Sequence, residues 1–247
     1  MGKKRLRVEA LLAAAASPQP PPLTDLVPDP TLTDLLPEDL PRPLALLPRA
    51  DLYLQDEVEV ALHPTLTRMW CRKGRRGQRW VEAPGTNRKR VGFGLVDWRA
   101  GWLDWALEDG RRAAPFCAQL RRALARSAAR ERVAIVVLDN LSIHTPRGSR
   151  LLRALLAEVN AAIERLVLVY TPTYDPDSNR IEWLWRALRR AVTHCHQHPT
   201  LPPLLAAADQ WAHDLAAAAV LRQIGSPFAP RRPRPRRRGA TPPRRAA

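Results

Sequence analysis

Cysteine is scarce in this sequence. Cys71, Cys117 and Cys195 stand alone among 247 residues without a paired spacing, which argues against a disulfide framework and makes a reducing cytoplasm the expected compartment. Long apolar runs are also missing. The stretch from Ala10 to Ala16 is far too short to cross a bilayer and carries no signal-peptide pattern, so no membrane association is expected. Acids are in deficit, with 24 Asp and Glu against 40 Lys and Arg and a formal net charge of +16. That balance points to a polyanionic partner, in practice nucleic acid. The cluster His194, Cys195, His196 and His198 lacks the second ligand pair that a zinc site needs.

What is present suits one good-sized α/β domain with appendages, since a hydrophobic content of 45% fills such a core. Residues 1–49 read as a basic N-terminal segment, with one helix over KKRLRVEALLAAAA, followed by a Pro-rich linker holding a short helix near Thr31 to Leu36. A compact domain is expected over 50–220. The run VAIVVLDNLSIH, from Val133 to His144, reads as a strand buried on both faces that breaks at Asp139 and Asn140. Before it, Asp51 to Leu62 alternates as a strand, with Leu52, Leu54, Val58 and Val60 on one face and Asp56 near its middle or end. A small β element is expected in the Trp-, Arg- and Gly-rich insertion Trp70 to Gly85. Arg90 to Asp97 and Trp102 to Leu107 form a hairpin turning at Arg99, Ala100 and Gly101. Helices are expected over Ala113 to Ala128, around Leu151 to Val159, over Asn179 to His194 and over Leu201 to Ala219, with a short strand at Leu166 to Tyr170. Residues 221–247 read as a disordered Arg/Pro-rich basic tail.

Three strands, a helix, a strand, a helix, a strand and a helix give a mixed five-stranded sheet covered by helices on both faces, the order of the ribonuclease H-like fold. In that fold the first and fourth strands are neighbours. Asp56 and Asp139, 83 positions apart in sequence, would then sit side by side, and the third helix would bring Glu182 over the same edge. Each acid has an ordinary alternative. Asp139 and Asn140 suit the exit of a strand, Glu182 suits a capping box opened by Asn179 or a pair with Arg186, and Glu57 rivals Asp56 except that strand neighbours face opposite sides.

The blocks DE at Asp56 and Glu57, LDNLSIH at Leu138 to His144 and YTPTYDPDSNRIEWLWRALRR at Tyr170 to Arg190 together resemble the catalytic domain of DDE transposases in the mariner-related branch of bacterial insertion sequences. Carried over residue by residue, the resemblance implies that Asp56, Asp139 and Glu182 are the three metal-binding catalytic acids. Asn140, His144 and Asn179 match flanking positions expected to act behind the acids or on DNA. The resemblance further implies strand cleavage and strand transfer at the ends of an insertion sequence. Two Mg²⁺ ions about 4 Å apart, with Mn²⁺ as substitute, suit that chemistry because hard cations prefer carboxylate oxygens; Asp139 would bridge them. DNA is the implied partner, with a homodimer as the active complex. Arg72, Lys73, Arg75, Arg76, Arg88, Lys89 and Arg90, and the tail residues Arg236, Arg237 and Arg238, are expected phosphate contacts. Arg180 stands where the family usually has proline, and the interval of 43 positions from Asp139 to Glu182 is longer than usual. The first 49 residues are too short and proline-rich for the family's helix-turn-helix domains, so an upstream-encoded DNA-binding half is expected. A non-catalytic DNA-binding relic or inhibitory fragment is the alternative. The expected location is a bacterial cytoplasm, at the nucleoid.

Overall fold

In the computed structural model, residues 3–16, 46–68, 70–74, 77, 80–172 and 176–231 are described. The sheet grows from strands whose residues feed two cores. β1 (Ala50–Ala61) sends Leu52, Leu54, Val58 and Val60 into one cluster and Tyr53 into the other. β4 (Val133–Leu138) divides likewise, with Ile135 and Val137 on one side and Ala134, Val136 and Leu138 on the opposite side. A strand that is apolar on both faces must lie inside a covered sheet, and both are central strands here.

β2 (Lys89–Asp97), β3 (Leu103–Glu108) and β5 (Leu166–Tyr170) complete the order β3-β2-β1-β4-β5. The β1/β2 and β2/β3 pairs are antiparallel, whereas β1/β4 and β4/β5 are parallel. The expected hairpin turn is present, with Gly101 at φ 67°, a left-handed conformation that glycine adopts without a Cβ penalty.

α1 (Lys3–Ala16) buries Val8, Leu11, Leu12 and Ala14 in the first cluster, so this helix joins the core of the sheet. α2 (Ala113–Ala128) and α3 (Arg150–Val159) cover the other face through Phe116, Leu120, Leu152 and Leu155. Leu151, expected in that stripe, is exposed. α4 (Ile181–Leu188) buries Ile181, Leu184, Trp185 and Leu188 against β1 and β2, the i, i+3, i+4, i+7 stripe of an amphipathic helix.

Several expected boundaries move. The third helix does not run unbroken from Asn179; it starts at Ile181 after a 3₁₀ turn at Pro176–Ser178 and passes into a π-turn over Arg189–Thr193. The single helix expected over Leu201 to Ala219 is two, α5 (Leu201–His213) and α6 (Ala217–Gln223). α5 docks on β3 through the Trp105 Nε1–H donated to Asp209 Oδ1 at 2.8 Å, and α6 docks on α4 through Gln223 Nε2 to the Trp183 carbonyl at 3.0 Å. Among the described residues of the insertion between Trp70 and Gly85 there is no strand; the nearest pairing is a lone bridge between Thr65 and His194. The helix near Thr31 to Leu36 and the part of the expected tail beyond Arg231 lie outside the described residues; the tail does not begin at 221, because α6 runs to Gln223, Ile224 is buried and Ser226 Oγ donates to the Trp98 carbonyl at 2.7 Å.

Candidate active site

Register brings the first two acids level. In the parallel pair, Leu54 stands opposite Val137, and two further residues along each strand reach Asp56 and Asp139. Asp56 lies on the β1 face covered by α4, and its Oδ2 accepts the Trp185 indole N–H at 3.1 Å. That indole can approach because Gly94, the cross-strand partner of Asp56, has no side chain; a Cβ there would lie 2.1 Å from the Trp185 ring. A glycine inside a strand often marks such a close approach. Glu182 enters from the first turn of α4. Asp56, Asp139 and Glu182 all line one open cleft of about 450 Å³ at the carboxyl end of the parallel strands, the region where ligands of α/β sheets gather.

Glu57, Glu59, Arg111 and Arg189 share the lining, giving five carboxylates against two guanidinium groups. Arg111 pairs with Glu59 at 3.0 Å and Arg189 with Glu182 at 3.7 Å. Burial pushes the Asp56 carboxyl well above its ordinary value, and the neighbouring Glu182, Glu57 and Asp139 charges push in the same direction. Asp139 goes the other way: burial raises it, but the hydrogen bonds from His144 and the Leu141 amide outweigh burial and hold it below the usual carboxylate value.

His144 is fully buried. Its Nδ1 meets Asp139 Oδ1 at 2.5 Å and its Nε2 meets Glu57 Oε1 at 2.9 Å. Two carboxylate acceptors require an N–H on both ring nitrogens, hence an imidazolium. Burial opposes that charge, yet the two hydrogen bonds prevail and raise the group to about 9. Glu57 lies on the face opposite Asp56, as strand alternation requires. The expectation that only one of the pair reaches the site needs correcting, because Glu57 also lines the cleft and is joined to Asp139 through the histidine ring.

The other flanking residues hold backbone. Asn140 Nδ2 donates to the Thr171 carbonyl at 2.7 Å, tying the exits of β4 and β5 together. Asn179 is buried, and its Nδ2 donates to the Gln55 carbonyl at 2.8 Å, pinning the turn before α4 to β1. Arg180, in the place of the family's proline, stacks its guanidinium 4.2 Å from the Trp183 ring centre. Arg72, Lys73 and Arg88 are exposed and outside the cleft lining. Lys89 pairs with Glu59 at 3.1 Å and Arg90 with Asp109 at 2.8 Å. Arg75, Arg76, Arg236, Arg237 and Arg238 lie outside the described residues. The sequence reading missed Arg111 and Arg189. Arg189 carried a signal, since it follows Glu182 by seven residues and so returns to the same side of a helix; Arg111 carried none.

Three carboxylates are the donor set a hard divalent cation takes, and the upward pressure on Asp56 is what a cation among them would relieve. Among the described residues, however, no three His, Cys, Asp or Glu side chains already close on a single point. The side chains instead lean on protein partners: Asp139 on His144, Glu182 towards Arg189 and Asp56 on Trp185. In the His194 to His198 stretch, Cys195 Sγ accepts the Thr67 amide at 3.4 Å, and the His196 and His198 ring centres lie 5.5 Å apart with the planes tilted by 39°.

Residues 51–204 match the family model described as DDE superfamily endonuclease. A Shigella sonnei protein, the insertion element IS630 uncharacterized 39 kDa protein, is 29% identical over 154 residues, which take in 62% of this chain and 42% of that protein. The match thus spans less than half of that relative. Among solved structures, the mariner Mos1 paired end complex with Mg superposes with a TM-score of 0.55 at 15% identity, covering 92% of this chain and 59% of that one. The Mos1 transposase catalytic domain with Raltegravir and Mg gives 0.50 at 15% identity over 92% and 90% of the two chains. At these identities the likeness establishes a shared fold, the ribonuclease H-like one.

Proposed function

Since the chain belongs to the DDE superfamily endonuclease family, we propose that it is the catalytic part of an insertion-sequence transposase, performing metal-dependent DNA strand cleavage and strand transfer at the element's ends. The observation that carries this reading is that Asp56, Asp139 and Glu182 line one cleft, with Asp56 held protonation-prone by burial and by the other acids. Asp56, Asp139 and Glu182 would hold the divalent cations. Two Mg²⁺ ions, or Mn²⁺, supply activation of the attacking oxygen and charge neutralisation at the leaving oxygen when bound. Around them, Trp185 orients Asp56, His144 orients Asp139, and Asn179 fixes the turn that delivers Glu182.

Substrate binding on this reading is electrostatic. The acidic cleft repels phosphate, so affinity must come from Arg72, Lys73, Arg75, Arg76, Arg88, Lys89, Arg90 and the tail arginines Arg236, Arg237 and Arg238, contacting backbone phosphates of element ends and target DNA. The domain expected over 50–220, together with α1 and the remainder of α6 that pack on it, would be the catalytic unit, with a homodimer as the active complex, an upstream-encoded half supplying sequence recognition, and the bacterial nucleoid as the place of action. The rival reading, a non-catalytic DNA-binding relic, has no use for three gathered carboxylates. Mg²⁺- or Mn²⁺-dependent nicking of DNA carrying the flanking terminal inverted repeats, in the presence of the upstream product, tests the proposal. The unaltered chain should nick and Asp139→Asn should not; equal nicking by both, or none by either, overturns it.

A further inference from the structure

The shortest polar contacts in the cleft do not point at the cleft. His144 lies completely buried between Asp139 Oδ1 at 2.5 Å and Glu57 Oε1 at 2.9 Å, and every part of its surroundings fixes the ring. Its backbone closes a 3₁₀ turn by donating to the Leu141 carbonyl at 2.8 Å. Its own carbonyl accepts the Tyr170 hydroxyl at 2.8 Å, and its ring centre lies 4.3 Å from that of Phe116. Glu57 is held in turn, because the Oε1 that meets the ring also accepts Gln55 Nε2 at 2.8 Å.

The hydrogen bonds to Asp139 are one-sided. Both the His144 ring and the Leu141 amide, at 2.9 Å, use Oδ1. Among the described residues no hydrogen bond engages Oδ2, and the Asp139 side chain, 47% exposed, lines the cleft, so the carboxylate keeps one defined oxygen to offer. Without the ring, Asp139 would rotate about χ2, whose well is broad, and the oxygen offered to a cation would be undefined. Without Glu57, the ring would keep one partner only.

We propose that Glu57 and His144 form a positioning relay that presents Asp139 Oδ2 to a divalent cation, and that Glu57 is not itself a ligand. The proposal rests on the reading that Asp139 binds such a cation. Groups behind a metal ligand typically change affinity about 10–100-fold when removed, while a residue that acts only through another should add nothing once that other is gone. Glu57 and His144 are 87 positions apart, so no local helix or turn couples them by default.

The probe is Mn²⁺ added to the full chain without DNA, followed by the loss of the free-ion electron paramagnetic resonance signal. His144→Phe, which keeps a ring beside Phe116 but no donor, should weaken Mn²⁺ binding at least about tenfold. Glu57→Gln should weaken it less, and the double variant should match His144→Phe alone. His144→Asn, whose amide can still donate to Asp139, should recover most of the affinity and become indifferent to Glu57→Gln. Glu57→Gln is isosteric, so it carries the test if His144→Phe fails to fold. The relay is overturned if Glu57→Gln abolishes Mn²⁺ binding as fully as Asp56→Asn, if His144→Phe binds like the unaltered chain, or if the unaltered chain binds no Mn²⁺. A chain that shows the expected pattern but never nicks DNA would keep the relay and lose the strand-cleavage reading.

Discussion

Asp56 is the strained residue of the cleft. It is a half-buried carboxylate beside Glu182, Glu57 and Asp139, with the Trp185 N–H as its side-chain donor. Because its folded-state value is raised, the native chain holds a proton that the unfolded chain gives up, and stability falls as pH climbs from the ordinary carboxylate value through the raised one. Asp56→Asn removes that charge and keeps an oxygen for Trp185. It should therefore raise metal-free stability at pH 7 by about 1 kcal/mol or more while abolishing nicking, as seen when an active site is relieved of like charges; paired urea titrations and nicking assays check both halves. His144 changes stability with pH in the same direction, but by losing a favourable interaction and not by gaining an unfavourable one. Its folded value is raised from 6.5 to about 9, so its stabilisation is complete below pH 6.5 and disappears as pH rises through about 9. The stability gap between the unaltered chain and His144→Phe, measured by urea unfolding at a series of pH values, should be constant below 6.5 and shrink towards pH 9. The acids themselves were legible in the sequence because their flanking residues form recognisable blocks, and alternation correctly set Asp56 and Glu57 on opposite faces. The Glu57–His144 pairing was not, since a contact between a residue inside β1 and one in the 3₁₀ turn after β4, 87 positions on, leaves no periodic trace.

α4 and β2 meet at a glycine, and this joint decides whether the site assembles. Gly92 and Gly94 flank Phe93 on β2; a Cβ at Gly92 would meet the Trp105 ring at 2.0 Å and one at Gly94 the Trp185 ring at 2.1 Å. The two indoles pack 5.7 Å apart, filling the space both glycines leave. Gly94→Val should destabilise the fold by about 1–3 kcal/mol, the usual cost of overpacking a filled core. Because Trp185 must move, Asp56 loses its indole donor and nicking should fall by more than the folded fraction does. Urea denaturation with near-ultraviolet circular dichroism of the tryptophans measures the first effect, and nicking per folded molecule the second. Strands and amphipathic helices were readable from period 2 and period 3.6, since each buries one stripe or both faces. The break between α5 and α6 was hidden in an alanine-rich run whose helix propensity is uniform; tertiary packing sets it, with the start of α6 tucked so closely under the hairpin turn that a Cβ on Gly101 would lie 2.4 Å from the Ala217 carbonyl. The π-turn over Arg189–Thr193 was equally silent, because the apolar stripe runs through it to Val192.

The molecule separates its charges. The sequence carries a formal +16 overall, whereas the cleft is lined by five carboxylates and two arginines, so on the proposed function the groups that would attract DNA and those that would cut it are different parts of one chain. That division was legible in composition alone for the basic segments, whereas the acidity of the cleft required the strand register. It also makes the two roles separable by experiment. Releasing counterions from phosphates gives a salt slope of about 0.9 per contact on duplex DNA, and residues 232–247 hold the arginines 232, 234, 236, 237, 238, 244 and 245 with no acid. Removing those residues should lower the slope of log affinity against log salt by several units on a duplex lacking any terminal repeat, yet leave Mg²⁺-dependent nicking intact at low salt. Asp139→Asn should do the reverse: its slope should equal that of the unaltered chain, and its metal-free affinity should be equal or slightly higher, because one anion facing the phosphates is gone. Filter-binding titrations across a salt series separate the outcomes. If the tail deletion leaves the slope unchanged, the polyanion contact lies in Arg72, Lys73 and Arg88 beside β1 and β2 and not in the tail.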